Sequence, residues 1–127
     1  MRYPTALLTV LALATAACEP EEREAFQAEV CLQLDHHGVT PADAMVYASG
    51  VADFPGYGAD MDARFPRREQ MRANGRVCFA SLNAGPHWFA AEGWDDVIAD
   101  SVRGSKFLDI TTRADFYEVR MEVSEQH

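Results

Sequence analysis

Histidine is the residue type in this chain best suited to bind a transition metal, and the candidates are His36, His37 and His87. A zinc or copper site usually needs three or more converging ligands. Adjacent residues of a strand point to opposite faces of the sheet, so two neighbouring histidines on a strand would not converge. We therefore interpret His36 and His37 as part of a polar turn and His87 as a strand histidine, and we predict no metal ion or other cofactor.

A calcium site would instead use the carboxylates of Asp53, Asp60 and Asp62, which fall in a segment rich in Gly and Pro, residues 50–68. Calcium takes six to eight oxygen ligands, and binding loops supply them at regular spacing. The acids here do not follow an Asp-x-Asp-x-Asp-Gly pattern. We interpret the segment as a solvated loop.

Four aromatic residues could form a binding surface: Phe54, Tyr57, Trp88 and Trp94. Exposed aromatic rings stack on sugars or anchor a protein partner. Trp88 is out of phase with the core positions of its strand, which favours exposure. The alternative is that Trp88 packs beneath the long loop.

The first 17 residues have the pattern of an export signal. Arg2 precedes an apolar run of 12 residues, 6–17, which ends in Ala16 and Ala17. Such a run is typical of a signal peptide and is shorter than the roughly 20 residues that span a bilayer. We divide the chain into a signal peptide (1–17), an acidic tether (18–28) and one domain (29–127).

The end of the run, Ala16-Ala17-Cys18, resembles the lipobox of bacterial lipoproteins. That resemblance implies cleavage before Cys18, a diacylglycerol on its sulfur and an acylated (palmitate-type) N-terminus. Thr15 departs from the usual Leu, and cleavage after an Ala-x-Ala site at Ala14 to Ala16 is the alternative. Glu19 follows the cysteine where an Asp would favour retention in the inner membrane, so the outer membrane is the expected location in the cell envelope.

The mature chain contains six or seven short strands with alternating apolar and polar residues. In the last of these, residues 116–123, Tyr117, Val119 and Met121 share one face. Asn74-Gly75 predicts a type I′ hairpin, and residues 94–103 fit either a short helix or an irregular strand. With no convincing long helix, the pattern predicts an all-β antiparallel sandwich. The predicted core is Val30, Leu32, Leu34, Val46, Val77, Phe79, Leu82, Phe89, Val119, Met121 and Val123.

Cys31 and Cys78 remain once Cys18 carries lipid, and an exported chain favours their pairing. Both are out of phase with the apolar face of their strands, so a disulfide would lie on the outer face of one sheet. The alternative is two thiols on different sheets.

Two stretches resemble the prealbumin-like sandwich of carboxypeptidase regulatory-like and Cna B-type domains. They are the entry into the second strand, Pro41-Ala42-Asp43-Ala44-Met45-Val46-Tyr47, and the hairpin segment Asn74-Gly75-Arg76-Val77-Cys78-Phe79-Ala80-Ser81-Leu82-Asn83-Ala84-Gly85. In that family alternating residues of the next strand enter the core, here His87, Phe89 and Ala91. The resemblance covers about residues 29–124 and implies the Ig-like sandwich fold, mostly in non-catalytic modules of envelope and surface proteins.

The catalytic and covalently cross-linked relatives of that fold do not match. Hydroxyisourate hydrolases end in Tyr-Arg-Gly-Ser, whereas this chain ends in Ser-Glu-Gln-His. The iron-binding Tyr and His pairs of intradiol dioxygenases are missing. Pilin domains join a Lys to an Asn, but Lys106 falls late in the chain and the last strand contains no Asn. We therefore expect no enzymatic activity.

Without the signal peptide the chain has 10 basic and 20 acidic residues. This charge disfavours nucleic acid and anionic lipid headgroups as partners. The resulting hypothesis is a non-enzymatic envelope lipoprotein in the periplasm or at the cell surface, held to the membrane by its lipid, with a structural or protein-binding sandwich. The alternative is a small-ligand or carbohydrate-binding module that uses the exposed aromatics.

Overall fold

A computed structural model describes residues 25–125 of the chain. The predicted signal peptide, the predicted lipidation site Cys18 and most of the predicted acidic tether lie outside the described residues. No helix among residues 25–125 has the length and apolar character needed to cross a membrane.

Eight strands and one short helix make up the described part. The strands are β1 Ala28–Asp35, β2 Asp43–Ser49, β3 Arg67–Gln70, β4 Arg76–Leu82, β5 Gly85–Asp95, β6 Asp100–Ile110, β7 Phe116–Glu122 and β8 Ser124–Glu125, and the helix is α1 Met61–Arg64. One sheet has the order β4-β1-β7 and the other β3-β2-β5-β6-β8. The prediction of an all-β sandwich is confirmed, with eight strands in place of six or seven.

One pair of strands departs from the antiparallel prediction. β1 and β7 are parallel, with Val30 opposite Tyr117 and Leu34 opposite Met121. The chain leaves β6 in the larger sheet, crosses to the smaller one and enters beside β1 in the same direction. This crossing between sheets supplies the long connection that a parallel pair requires. The alternation of residues within a strand does not indicate whether its neighbour runs parallel or antiparallel.

The core lies between the two sheets and consists of the inward residues of β1, β2, β4, β5 and β7 with parts of β6. Its members include all the predicted core residues, although Val119 is only half-buried. Alternation identified them because residues two apart on a strand share a face. Phe79 and Phe89 come from opposite sheets, and their rings lie 5.7 Å apart near the centre.

The turn at Asn74-Gly75 is not the predicted type I′ hairpin. The Gly75 N–H donates to Arg72 O (2.9 Å), so Ala73 and Asn74 occupy the centre of the turn and Gly75 follows it with a φ of +78°. The turn joins β3 in one sheet to β4 in the other. The sequence correctly indicated a tight turn, but the flanking strands are not partners: β3 pairs with β2 and β4 pairs with β1.

The segment 94–103 is neither a short helix nor an irregular strand. β5 and β6 form one long hairpin, paired from Gly85 and Ile110 to Asp95 and Asp100. The long segment 50–68 contains α1 and the start of β3.

Cys31 and Cys78 face each other across β1 and β4 and form a disulfide, with their Cα atoms 4.0 Å apart. This confirms the predicted pairing. Because Val30 and Leu32 point into the core, the bond lies on the opposite face of the smaller sheet. Cys31 is nonetheless buried, since it sits on the central strand between Cys78 and Glu118.

We expect Phe79→Ala to lower the free energy of unfolding by about 3–5 kcal/mol, because the side chain is fully buried and its loss leaves a cavity. The measurement is urea unfolding of a chain that begins at residue 18 and carries Cys18→Ser, here called the lipid-free chain. Phe116→Ala is the control, since Phe116 is exposed. A loss below about 1 kcal/mol for Phe79→Ala would show that the phase of β4 is wrong.

Candidate functional site

Two histidines and two carboxylates meet at one end of the sandwich, where β1, β5 and β8 finish. We call this group, His36, His37, Asp95 and Glu125, the His–carboxylate cluster. His36 and Asp95 are buried, at 2% and 5% exposure. The other two side chains reach solvent, and His37 is the most exposed of the four.

A tight turn after β1 places the two histidines side by side. His36 and Val39 exchange backbone hydrogen bonds of 2.7 and 3.0 Å, and the two residues between them, His37 and Gly38, have φ values of +52° and +83°. Positive φ at both central residues is the mark of a type I′ turn. The expectation that the two rings diverge is wrong, since their centroids lie 4.4 Å apart. The reason is that the strand ends at this turn, and side chains no longer alternate between its two faces.

Glu125 reaches the cluster because the chain changes sheets after β7. The Val123 N–H donates to Asp35 O (2.9 Å), and β8 then pairs with β6, Glu125 opposite Val102. A Cβ at Gly104 would lie 2.3 Å from Glu122 O, so a glycine is required where this crossing passes β6. Val102 is buried, and cross-strand partners share a face, which explains why Glu125 points inward.

Both ring nitrogens of His36 face acids from the other sheet. Its Nδ1 makes a short hydrogen bond to Asp95 Oδ2, and its Nε2 lies 3.2 Å from Glu125 Oε2. The second approach is not aligned for a hydrogen bond, so Nε2 remains a buried polar atom without a hydrogen-bond partner. The His37 Nε2 lies 3.5 Å from the same Glu125 oxygen.

The charges in the cluster shift one another's titration. The hydrogen bond to Asp95 raises the pKa of His36, although burial opposes the shift. The same bond lowers the pKa of Asp95, and the Val97 N–H, which donates to Asp95 Oδ1 (2.8 Å), adds to the effect. A backbone hydrogen bond from its own residue, followed by His36, lowers the pKa of Glu125 to about 2.

The cluster borders a cleft of about 510 Å³ between the turn after β1 and the end of β7, lined by Asp35, His37, Gly38, Arg120, Glu122, Val123 and Ser124. Arg120 and Asp35 form an ion pair of 2.8 Å in its wall. The cluster can therefore exchange ligands or protons with solvent through His37 and Glu125.

His87 is far from this cluster. It begins β5, whereas Asp95 ends it, and eight residues of extended strand span about 26 Å. The ring is buried as predicted, and its Nδ1 lies within hydrogen-bond distance of Gly85 O (3.0 Å).

The predicted aromatic set does not form one surface. Trp88 donates its indole N–H to Ala52 O (3.0 Å), and its ring lies 5.0 Å from that of Phe54. Phe54 contacts Tyr57 edge-on at 5.1 Å, and Arg103 covers the Tyr57 ring. These three aromatics hold the loop against the outer face of the larger sheet, around buried Phe65. Trp88 thus packs beneath the long loop, the alternative that the sequence had left open.

Trp94 lies on the same outer face about 20 Å further along β5. It is exposed, together with Val97 and Ile98 in the turn that follows. We call Trp94, Val97 and Ile98 the apolar tip. The buried His36–Asp95 pair anchors the base of this turn, and the Ala42 N–H adds a hydrogen bond to Trp94 O (3.0 Å).

The aspartates of the long loop do not converge on a common point. Asp60 accepts a hydrogen bond from Arg64 (3.1 Å) and Asp62 from Arg68 (3.0 Å), while Asp53 is exposed. Within residues 25–125, the groups of three or more metal-ligating side chains are Glu29 with the two disulfide cysteines, and His36 with His37 and Glu125. The disulfide consumes both thiols of the first group, which leaves the second as the one with free ligand atoms.

Asp95 and Glu125 were missed from the sequence, although a signal for Asp95 was present. His36 continues the inward series Val30, Leu32 and Leu34, and Asp95 continues the series His87, Phe89 and Ala91. Extending both series predicts two buried polar residues at the ends of strands, and such residues must find partners. Glu125 had no such signal, because it depends on the crossing after β7.

Comparisons with protein-family models and with curated proteins return no match for this chain.

We expect Asp95→Asn to destabilise the metal-free, lipid-free chain most strongly between about pH 4 and 6.5. His36 has a pKa raised above 6.5, so its contribution is complete below that pH and is lost as the pH rises through the raised pKa. Asp95 has a pKa lowered below 3.8, so its contribution is complete above that pH and is lost as the pH falls. Urea midpoints at about pH 5 and pH 9, in the presence of a chelator, measure the difference.

Asp96→Asn is the matched control, because Asp96 is the neighbouring, exposed acid. It should leave the midpoint unchanged at both values of pH. An effect of Asp95→Asn that is equal at the two values would contradict a charged pair with His36.

Proposed function

We propose that this chain is an exported, lipid-anchored protein of the cell envelope whose β-sandwich binds a partner protein and catalyses no reaction. The apolar tip carries the binding part of this proposal. Val97 is 82% exposed, and a group of exposed apolar side chains is typical of an interaction surface.

Charge around the tip indicates the chemistry of the partner. Asp96 and Asp100 flank Val97 and Ile98, and the chain from 87 to 102 contains no Lys or Arg. A surface of this kind disfavours anionic lipid headgroups, even though the protein is held near a membrane. It fits a partner protein that offers an apolar pocket with basic residues around it.

The disulfide supports the export part of the proposal. Disulfides persist in oxidising compartments such as the bacterial periplasm and are rare in the cytosol. The pairing of Cys31 with Cys78 also leaves Cys18 as the one cysteine available for lipid. A prealbumin-like sandwich, with its many envelope and surface members, fits the same location, and the residue after Cys18 favours the outer membrane.

The packing of the aromatic residues favours a protein partner over a carbohydrate. Trp88, Phe54 and Tyr57 hold the long loop in place and are not free to form a sugar platform. Trp94 remains exposed, but a single indole beside Val97 and Ile98 offers a mixed apolar surface. Such a surface suits protein side chains better than a sugar ring.

Lipidation is tested by mass spectrometry of the protein purified from membranes. We expect an N-terminus at Cys18 with added acyl mass. The added mass should correspond to two or more acyl chains, because one chain alone gives only marginal membrane binding. Cys18→Ala should abolish the acyl mass and release the protein from the membrane fraction. An unmodified chain that begins at Ala17 or Cys18 would contradict the proposal.

Partner binding is tested by cross-linking the tagged mature protein in native membranes. Val97→Asp should reduce recovery of a specific protein by about fivefold or more, since it places a charge in the centre of the contact. Val51→Asp is the control, because Val51 is also exposed but lies in the long loop. Equal recovery with both variants would exclude the tip as the contact, and loss of a captured glycan with Trp94→Ala would favour the carbohydrate-binding alternative.

A further inference from the structure

Three side chains of metal-ligating type converge beside the cleft, which His37 lines: His36, His37 and Glu125. One ligand atom from each lies within 4.8 Å of the other two. The residues come from the turn after β1 and from β8, so tertiary structure brings them together. His36 also bonds to Asp95 at the base of the apolar tip, but the convergence of these three ligand atoms plays no part in the function proposed above.

The buried nitrogen of His36 is the observation that singles out this group. Its Nε2 is buried, has no aligned hydrogen-bond partner, and lies 3.2 Å from Glu125 Oε2. A buried polar atom without an aligned hydrogen bond is costly. A metal ion would satisfy it, because neutral imidazole coordinates through a lone pair on nitrogen.

Asp95 supplies the support that a ligating histidine usually has. Histidine ligands of metals commonly donate the second ring N–H to a carboxylate, which fixes the tautomer and the orientation of the ring. The hydrogen bond from His36 Nδ1 to Asp95 is of this kind. With the Nδ1 proton held there, Nε2 is the nitrogen that presents a lone pair.

Two of the three spacings between the ligand atoms match those around a tetrahedral ion. Ligands about 2.0–2.1 Å from zinc at the tetrahedral angle lie roughly 3.3–3.4 Å from one another. The two histidine nitrogens lie 3.2 and 3.5 Å from Glu125 Oε2. An ion held between the three side chains would use the same Glu125 oxygen that both histidine nitrogens approach.

We propose that His36, His37 and Glu125 bind one divalent transition-metal ion of the zinc class, with Asp95 as a positioning residue. Three protein ligands leave a fourth position for water or for a ligand from the cleft. His37 is 73% exposed and Glu125 24%, so the ion enters from solvent after the domain has folded. Metal binding would thus tie the turn after β1 to the last strand.

Isothermal titration of the untagged, chelator-treated, lipid-free chain with Zn²⁺ tests the proposal, and the absorption spectrum of bound Co²⁺ reports tetrahedral geometry. Cys18→Ser removes the one thiol outside the disulfide, which would otherwise compete for the ion. We expect one ion per chain. Glu125→Gln and His37→Ala should each lower the affinity more than tenfold, and Asp95→Asn by about 10- to 100-fold.

Glu122→Gln is the matched carboxylate control, because Glu122 lines the same cleft but lies outside the group. His127→Ala is the histidine control, and neither variant should change the affinity. His37 and Glu125 are accessible, so their variants should keep the urea midpoint of the metal-free protein close to that of the parent. Unchanged affinity in Glu125→Gln and His37→Ala, a loss confined to His127→Ala, or no binding of one ion per chain would overturn the assignment.

Discussion

The register of β1 is the constraint on which the rest of the structure depends. Val30, Leu32 and Leu34 must face the core between the two sheets, and a shift by one residue would expose all three. The same alternation sends Cys31 to the opposite face, where it meets Cys78 of β4. It also makes His36 an inward residue at the point where the strand ends. One apolar series therefore determines the site of the cross-link and the burial of the histidine.

The end of the sandwich is closed by polar contacts instead of apolar ones. His36 from the smaller sheet bonds to Asp95 from the larger sheet, and Glu125 from the last strand completes the contact. Burying such groups is costly unless they are paired. This arrangement adds little stability over an apolar closure, but it joins three chain segments that are distant in sequence. Histidines and carboxylates that satisfy a folding requirement in this way also present nitrogen and oxygen atoms to a metal ion.

The outer face of the larger sheet is divided between packing and exposure. The long loop covers one end through Trp88, Phe54 and Phe65, which form a second small core. The other end extends beyond the loop as the β5–β6 hairpin and leaves Trp94, Val97 and Ile98 in solvent. Aromatic contacts hold the loop in one position, whereas the end of the hairpin stays exposed and can contact another molecule. The His–carboxylate cluster lies at the base of the same hairpin, through the bond from His36 to Asp95, so partner binding at the tip and ion binding at the cluster would occur at the same end of the sandwich.

The sequence by itself determined the all-β class and the inward residues of most strands, because alternation is a local property of the chain. It favoured the pairing of Cys31 with Cys78, but only the adjacency of β1 and β4 excluded two thiols on different sheets. Tertiary structure alone decided the parallel pairing of β1 with β7, the separation of β3 from β4 and the packing of Trp88 beneath the loop. These three features depend on which sheet edge or sheet face each segment packs against. The pattern of residues along the chain does not specify that edge or face. The meeting of His36 with Asp95 and Glu125 belongs to the same class. His36 and Glu125 come together only because the chain crosses between the sheets after β7. Their contact therefore could not be predicted from their spacing along the sequence.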